Sequence, residues 1–306
     1  QAGISEIHVA EALFRAIKEP GNILYTMPAG EQMQQFVDAR ARNAVLNNEY
    51  LSKFVTGALN LKKFSIARNS IYFRGVQKRR QIISIDISKL YADELDEYEE
   101  GTANTRTKRL GAAKNPLRRY FSTPSFHGVG VSINYYGSEA LKERGSDQRV
   151  WTIKCDRCGK WNEDLVWSEN TADLNFQNEK SSFYEPNVII ICKYCKGSLN
   201  RLSANAEWVA KIPSNSDYCH GYHVSKLFAP GTNLNQIKFD LENPTKMQEC
   251  WNSDLGLPFE PKGSRLEDSN IDEARGIHQI HIRNAQAENF AGFDIGSKIH
   301  GTIGQI

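Results

Sequence analysis

A chain of 306 residues, 40% hydrophobic and 24% charged, can bury a sizeable core and divides into about two domains. Its formal net charge of +2 excludes a global basic field. Contact with nucleic acid would therefore rest on local patches such as Lys78-Arg79-Arg80, Arg106-Thr107-Lys108-Arg109 and Arg118-Arg119, each of which also reads as a solvated face. No run of about 18 apolar residues and no signal peptide is present, so a cytoplasmic setting without a membrane span is expected. Gln1 and Ile306 both read as cut ends of a longer protein.

Gln1-Ala2-Gly3-Ile4-Ser5-Glu6 runs into residues 8–18, where Ile7, Ala10, Leu13, Phe14 and Ile17 recur at helical spacing. A glycine turn, a hydroxyl and a helix N-terminus make the second half of a phosphate-binding loop, with free N–H groups toward the anion and the hydroxyl toward Mg²⁺. Gly-x-Ser is equally a plain N-cap. Asn22 to Pro28 reads as a buried strand, followed by a helix over residues 31–47. This rhythm favours an α/β fold with a mostly parallel sheet and helices on both faces.

Residues 64–73 read as two short strands, and residues 81–87 as a third, leading into Lys89-Leu90-Tyr91-Ala92-Asp93-Glu94-Leu95-Asp96-Glu97. An apolar run that ends in an Asp-Glu pair can hold Mg²⁺ and position an attacking water. The run stops at Ala92, which favours Asp93 and Glu94 over the register Asp96-Glu97; the latter pair reads as the start of a solvated segment. Residues 102–113 have helical potential. Residues 117–121 form a strand ending in Ser122-Thr123-Pro124-Ser125, where α/β sheets place ligands or where a strand simply terminates.

Cys155-Asp156-Arg157-Cys158-Gly159 and Cys192-Lys193-Tyr194-Cys195 stand 33 residues apart. Two C-x-x-C turns supply four thiolates to a tetrahedral Zn²⁺, with Gly after the second Cys easing the turn. Such a closed site is a folding staple, and the intervening residues read as a hairpin with a polar excursion over 171–182. Cys219 and Cys250 read as buried free thiols. His220 and His223 read as structural histidines rather than a second metal site. Residues 221–227 are strand-like, residues 234–254 helical with a break at Pro244, and residues 258–289 a linker. Asp294 then sits in an alternating apolar strand, costly unless it meets a metal or a donor.

Taken in this order, the segments resemble the large subunit of tailed-phage terminases, in the lambda-type branch with a zinc ribbon inside its ATPase half. The resemblance rests on Gln1 to Glu6 as the end of a deviant Walker A loop, Tyr25-Thr26-Met27-Pro28, Ala92-Asp93-Glu94 as Walker B and Ser122-Thr123-Pro124 as the coupling motif. It continues through Ser146-Asp147-Gln148-Arg149, Trp251-Asn252, Leu255-Gly256-Leu257-Pro258 and Gly292-Phe293-Asp294-Ile295-Gly296.

The implied fold is a P-loop NTPase core over residues 1–150, a zinc ribbon over 151–210, the rest of the ATPase domain over 211–260, a linker over 261–288 and the first strand of an RNase H-like nuclease over 289–306. The resemblance implies ATP, Mg²⁺ and structural Zn²⁺ on Cys155, Cys158, Cys192 and Cys195. Gly3 would let backbone N–H groups approach phosphate, Ser5 and Asp93 would hold Mg²⁺, Glu94 would activate water and Thr123 would couple nucleotide state to DNA movement. Ile4 stands where a standard P-loop has lysine, so the cation is expected upstream of Gln1. Asp294 would be a nuclease metal ligand, active only in a longer chain, since one carboxylate cannot hold two metals.

The implied partners are double-stranded DNA, the small terminase subunit and the portal protein of the procapsid, with a homo-oligomeric ring acting in the host cytoplasm. A helicase-like or remodelling ATPase would share the loop and the acid pair. A non-enzymatic zinc-ribbon nucleic-acid-binding protein would use only the cysteines and the basic patches.

Overall fold

Two neighbouring strands, β1 (Ile23–Met27) and β5 (Lys89–Asp93), are buried at every position. Both lie in a computed structural model that describes residues 3–76, 85–98, 110, 113–125, 129–135, 145–176, 185–259, 289–295 and 299–305. Burial on both faces is the pattern of an interior parallel strand. Alternate residues serve opposite cores: Ile23, Tyr25, Met27 and Tyr91 face one, and Leu24, Leu90 and Ala92 the other.

The remaining strands of this sheet are β2 (Val55–Asn60), β3 (Lys63–Ile66), β4 (Asn69–Gly75) and β6 (Leu117–Phe121), in the order β2-β3-β4-β1-β5-β6. The four strands β4, β1, β5 and β6 run parallel, while β2 and β3 form an antiparallel extension at one edge. The chain therefore has the mixed α/β architecture that the sequence rhythm predicts. The stretch before Lys89 differs: residues 85–88 are not strand, and residues 81–84 lie outside the described residues. Most of the helical potential read over 102–113 falls outside them too.

Helix α1 (Ile4–Lys18) packs on the first core through Val9, Ala12, Leu13 and Ala16. The stripe read from spacing is displaced, because Ile7 and Phe14 are 60% and 58% exposed. Small side chains at positions 12 and 16 allow the helix to sit close to the sheet, and Phe14 instead lines a groove of about 520 Å³ with Tyr50 and Leu51. The next helix, α2 (Gly30–Phe36), continues through a π-helical turn at Val37–Arg42 into Asn43–Leu46.

Two antiparallel sheets follow in the same unit: β7 (Arg149–Lys154) between β8 (Trp161–Glu163) and β11 (Ala206–Ala210), and β9 (Thr171–Asp173) beside β10 (Val188–Ile190). They share a third core with the helix Leu234–Glu242 and with Cys250 and Leu255. Residues 221–227 make only a single bridge, Arg149 with Tyr222, and a short 3-10 turn at Lys226–Phe228, in place of the expected strand. Their backbone is held by two bonds with Arg149, whose N–H donates to the Gly221 carbonyl at 2.6 Å and whose carbonyl accepts from the His223 N–H at 3.1 Å, and by Asp147. Asp147, with no exposed side-chain surface, accepts from Arg149 Nε at 2.8 Å, Ser216 Oγ at 2.9 Å and the Gly221 N–H at 3.0 Å.

The contacts divide the chain into Gln1–Glu260 and Pro261–Ile306. The second unit contains β12 (Asn289–Ile295) and β13 (Ile299–Gln305), antiparallel, with Asp294 opposite His300. Most of the stretch read as a linker lies outside the described residues. Among those described, no helix is long and apolar enough to cross a membrane.

Helix α1 is joined to β6 by charge. Arg119 donates from Nε and Nη2 to Glu11, each at 3.1 Å, and Arg15 Nε donates to the same carboxylate at 2.8 Å. Burial raises the Glu11 pKa, but the hydrogen bonds and charges of Arg119 and Arg15 outweigh it and bring the carboxyl down to about 2. A depressed carboxylate pKa contributes stability that is present above the unfolded value and lost as pH falls through the folded one. Glu11→Gln is therefore expected to lower Tm at pH 7 but to converge with the parent protein between pH 4.5 and about 2, as read in thermal melts across that window.

Candidate functional site

Gly3 closes the N-terminus of α1 in the left-handed region, φ 69° and ψ 16°, a conformation glycine adopts without a Cβ penalty. No side chain caps the helix. In the plain N-cap reading a hydroxyl would be spent on the first-turn N–H groups. Ser5 lies inside the helix, and its hydroxyl is near enough to the Asp93 carboxylate to favour the charged form. The first-turn N–H groups thus have no side-chain cap, while the Ser5 hydroxyl lies beside an acid from the sheet.

Asp93 is the last residue of β5 and only 2% exposed. Tyr25, at the centre of β1, donates its hydroxyl to Asp93 Oδ2 at 3.0 Å. Burial pushes the Asp93 carboxyl above its ordinary value, opposed by Tyr25, Ser5, the Glu94 N–H and the charge of Arg40. A hydrogen bond to a charged group contributes about 1.5–3 kcal/mol, so the tyrosine offsets part of that desolvation.

The chain reverses at Glu94, φ 51° and ψ 49°. The left-handed region costs a non-glycine residue roughly 1–2 kcal/mol. Strain of this kind gathers at functional turns, and here it aims the carboxylate sideways toward β6. The register explains the encounter: Asp93 pairs with Phe121, so the next residues, Glu94 on one strand and Ser122-Thr123 on the other, emerge side by side. The Thr123 N–H donates to Glu94 Oε2 at 3.2 Å, and Ser122 Oγ lies 3.5 Å from the same atom. Burial raises the Glu94 pKa first of all; the Thr123 N–H opposes this, and the Asp93 and Glu97 charges add to it.

Gly3, Ser5, Asp93, Glu94 and Thr123 therefore lie at the N-terminus of α1 and the carboxyl ends of β5 and β6. The serine hydroxyl and the buried carboxylate are oxygen donors of the kind Mg²⁺ takes, so the residues present fit that ion. Asp96 departs from the solvated reading: its half-buried side chain accepts backbone N–H groups from Ser125 and Val131 at 2.8 and 3.1 Å. Sequence reasoning also gave Tyr25 no individual role. Its hydroxyl in an otherwise apolar buried strand was the available signal.

The four cysteines Cys155, Cys158, Cys192 and Cys195 place their sulfurs within 4.8 Å of one another, unlinked by disulfides. Cys155 and Cys195 sulfurs are 3.8 Å apart, and those of Cys158 and Cys192 are 3.7 Å apart. A tetrahedron with Zn–S bonds of about 2.3 Å has edges of about 3.8 Å, so the donor set fits zinc in type and spacing. Each pair sits in the same turn, closed by Gly159 N–H to Cys155 O at 2.8 Å and Lys196 N–H to Cys192 O at 2.9 Å. The left-handed positions are Gly159 and Lys196, so in the second turn the residue after the cysteine is strained and Gly197 is not the pivot. Asn162, fully buried, donates to Cys192 Sγ at 3.5 Å and accepts from the Lys193 N–H at 2.9 Å, a role that nothing in the sequence signalled.

The two histidines are satisfied. His220 Nδ1 lies 2.8 Å from Asp147, and His223 spans Asp164 at 2.8 Å and the Leu255 carbonyl at 2.9 Å. Among the described residues the four cysteines are the one group of three or more His, Cys, Asp or Glu side chains close enough to share a metal. Of the remaining thiols, Cys250 is buried while Cys219 is only partly so. Asp294 belongs to the second unit, in β12.

A hydroxyl, an acid pair and a hydroxyl-rich turn thus stand together at the strand ends of a mixed α/β sheet. The family described as phage terminase large subunit gpA, ATPase domain, matches residues 1–208. The chain belongs to that family. No curated protein matches it. Among solved structures it is similar to the large terminase of bacteriophage HK97, with 17% identity, a TM-score of 0.36 and 40% of this chain against 27% of that one. It is also similar to the large terminase of the thermophilic bacteriophage D6E, with 14% identity, a TM-score of 0.30 and coverage of 40% and 30%. The matched region thus spans less than a third of either terminase.

Metal analysis of the purified protein is expected to return about one zinc per chain, and Cys192→Ser to lose most of it together with a lower Tm. A zinc content near zero in the parent protein would remove the metal centre.

Proposed function

We propose that this chain is the ATP-hydrolysing motor segment of a large terminase subunit of the lambda type, driving double-stranded DNA into a procapsid. The observation that carries it is the convergence of Ser5, Asp93, Glu94 and Thr123 at one end of a parallel sheet, within a chain of this ATPase family.

In this reading Gly3 and the first turn of α1 present N–H groups to phosphate, and Ser5 with Asp93 holds Mg²⁺. The ion, when bound, neutralises charge on the transferring phosphoryl group. Glu94 orients the attacking water and takes its proton, and burial raises its pKa above the ordinary carboxylate value. Thr123 lies against that base through its backbone and passes the state of the site to parts that grip DNA. The four-cysteine turns form a structural zinc ribbon, and β12 opens an RNase H-like nuclease domain in which Asp294 is a metal ligand. Small terminase subunit, portal protein and a homo-oligomeric ring complete the assembly in the host cytoplasm.

Phosphoryl transfer depends on water placement, and general-base removal costs about 10²–10⁴ in rate. In the full-length chain, Glu94→Ala is expected to lower DNA-stimulated ATP hydrolysis by at least about 100-fold while leaving zinc content unchanged. Hydrolysis that survives the substitution intact would sink the assignment of Glu94 as base.

A further inference from the structure

Asp96 lies three residues beyond Asp93 and is turned toward the protein. Its own N–H donates to Ser122 Oγ at 3.0 Å, and that hydroxyl is the one facing Glu94. Its carboxylate is divided between two pieces of chain. Oδ2 takes the Ser125 N–H at 2.8 Å, while Oδ1 takes the N–H groups of Gly130 and Val131. One side chain thereby fastens the Ser122–Ser125 turn and the start of the helix Val129–Tyr135 to the end of β5.

Position 130 has to be glycine for this to happen. A Cβ there would stand 2.5 Å from Asp96 Oδ1, closer than atoms pack, and would push the carboxylate off its donors. Two residues far apart in sequence are thus matched to one contact, the carboxylate by its two acceptor oxygens and the glycine by its missing side chain.

We propose that Asp96 is a positioning residue that locks the Thr123 turn against the Glu94 carboxylate and so sets the angle of the base, with Gly130 as the space that permits the lock. The inference rests on the ATPase reading above. The lock is built from backbone donors, so it fixes direction as well as distance. Asp96→Asn puts an NH₂ group where one oxygen faced N–H donors, losing at least one of the three bonds. Gly130→Ala leaves the carboxylate chemically intact and displaces it.

Both variants are tested in the full-length chain by steady-state ATP hydrolysis, binding of a fluorescent ATP analogue, zinc content and thermal melting. Misplacement of a reacting group by about 1 Å can cost about 100-fold, so a fall in kcat of at least about tenfold is expected, with KM for ATP within about twofold. Analogue affinity, zinc content and Tm are expected to stay close to the parent values. A kcat within about twofold of the parent protein in both variants would overturn the proposal. So would a loss of kcat matched by equal losses of analogue binding and Tm, which is what a purely structural role produces. Glu94→Ala separates the levels. If the parent protein hydrolyses ATP, Glu94→Ala abolishes it and the two variants retain it, only the positioning role falls. If the parent protein hydrolyses none, the ATPase reading falls and takes the positioning role with it.

Discussion

The hydrogen bond from Tyr25 to Asp93 joins the middle of β1 to the end of β5 inside a sheet that water does not reach. A carboxylate at that depth is costly without partners. Tyr25 on the neighbouring strand supplies the hydrogen bond, and Ser5 from the helix packed on the sheet also favours the charged form, so three elements contribute to holding Asp93 there. Thr26 and Tyr98 extend the arrangement: Thr26 Oγ1 donates to the Tyr91 carbonyl at 3.2 Å and accepts from the Tyr98 hydroxyl at 3.1 Å. Buried polar networks of this sort specify one packing, because any other leaves a group unpaired.

From Asp93 outward the geometry follows from register. Parallel pairing sets Asp93 beside Phe121, and the left-handed turn at Glu94 then sends its carboxylate across to Thr123 rather than along the strand. Moving β6 by one residue would exchange the faces of Arg119 and Tyr120 and take Arg119 away from Glu11. The ion pair on one side of β6 and the acid-turn contact at its end therefore hold the same register.

The strands most visible in the sequence were those carrying continuous apolar runs, β1 and β5 among them, and the acid pair stood out because the β5 run stops at Ala92. The four cysteines were legible because a C-x-x-C turn is a local object. Contacts made by register or by backbone donors left no such trace. Asp96 looked solvated because an acidic residue in a polar run usually is, and its three N–H partners lie about 30 residues away. The buried face of α1 was misread for a related reason. Helical spacing marks apolar residues but does not say which stripe meets the sheet, and Ala12 and Ala16 win that contact by being small.

The cysteine turns and the acid site solve a shared problem by different means. Around the sulfurs the sheets are short, β8, β9 and β10 having three residues each, and a small antiparallel layer has little core of its own. The four cysteine sulfurs, gathered within 4.8 Å of one another, bring together the two ends of the 33-residue stretch between the pairs. At the acid site the parallel strands already provide cohesion, and the polar groups settle orientation instead. Asn162 connects the two principles within the cysteine region. Its buried amide orients a sulfur and a backbone N–H together, so the turn is shaped before any ion enters it.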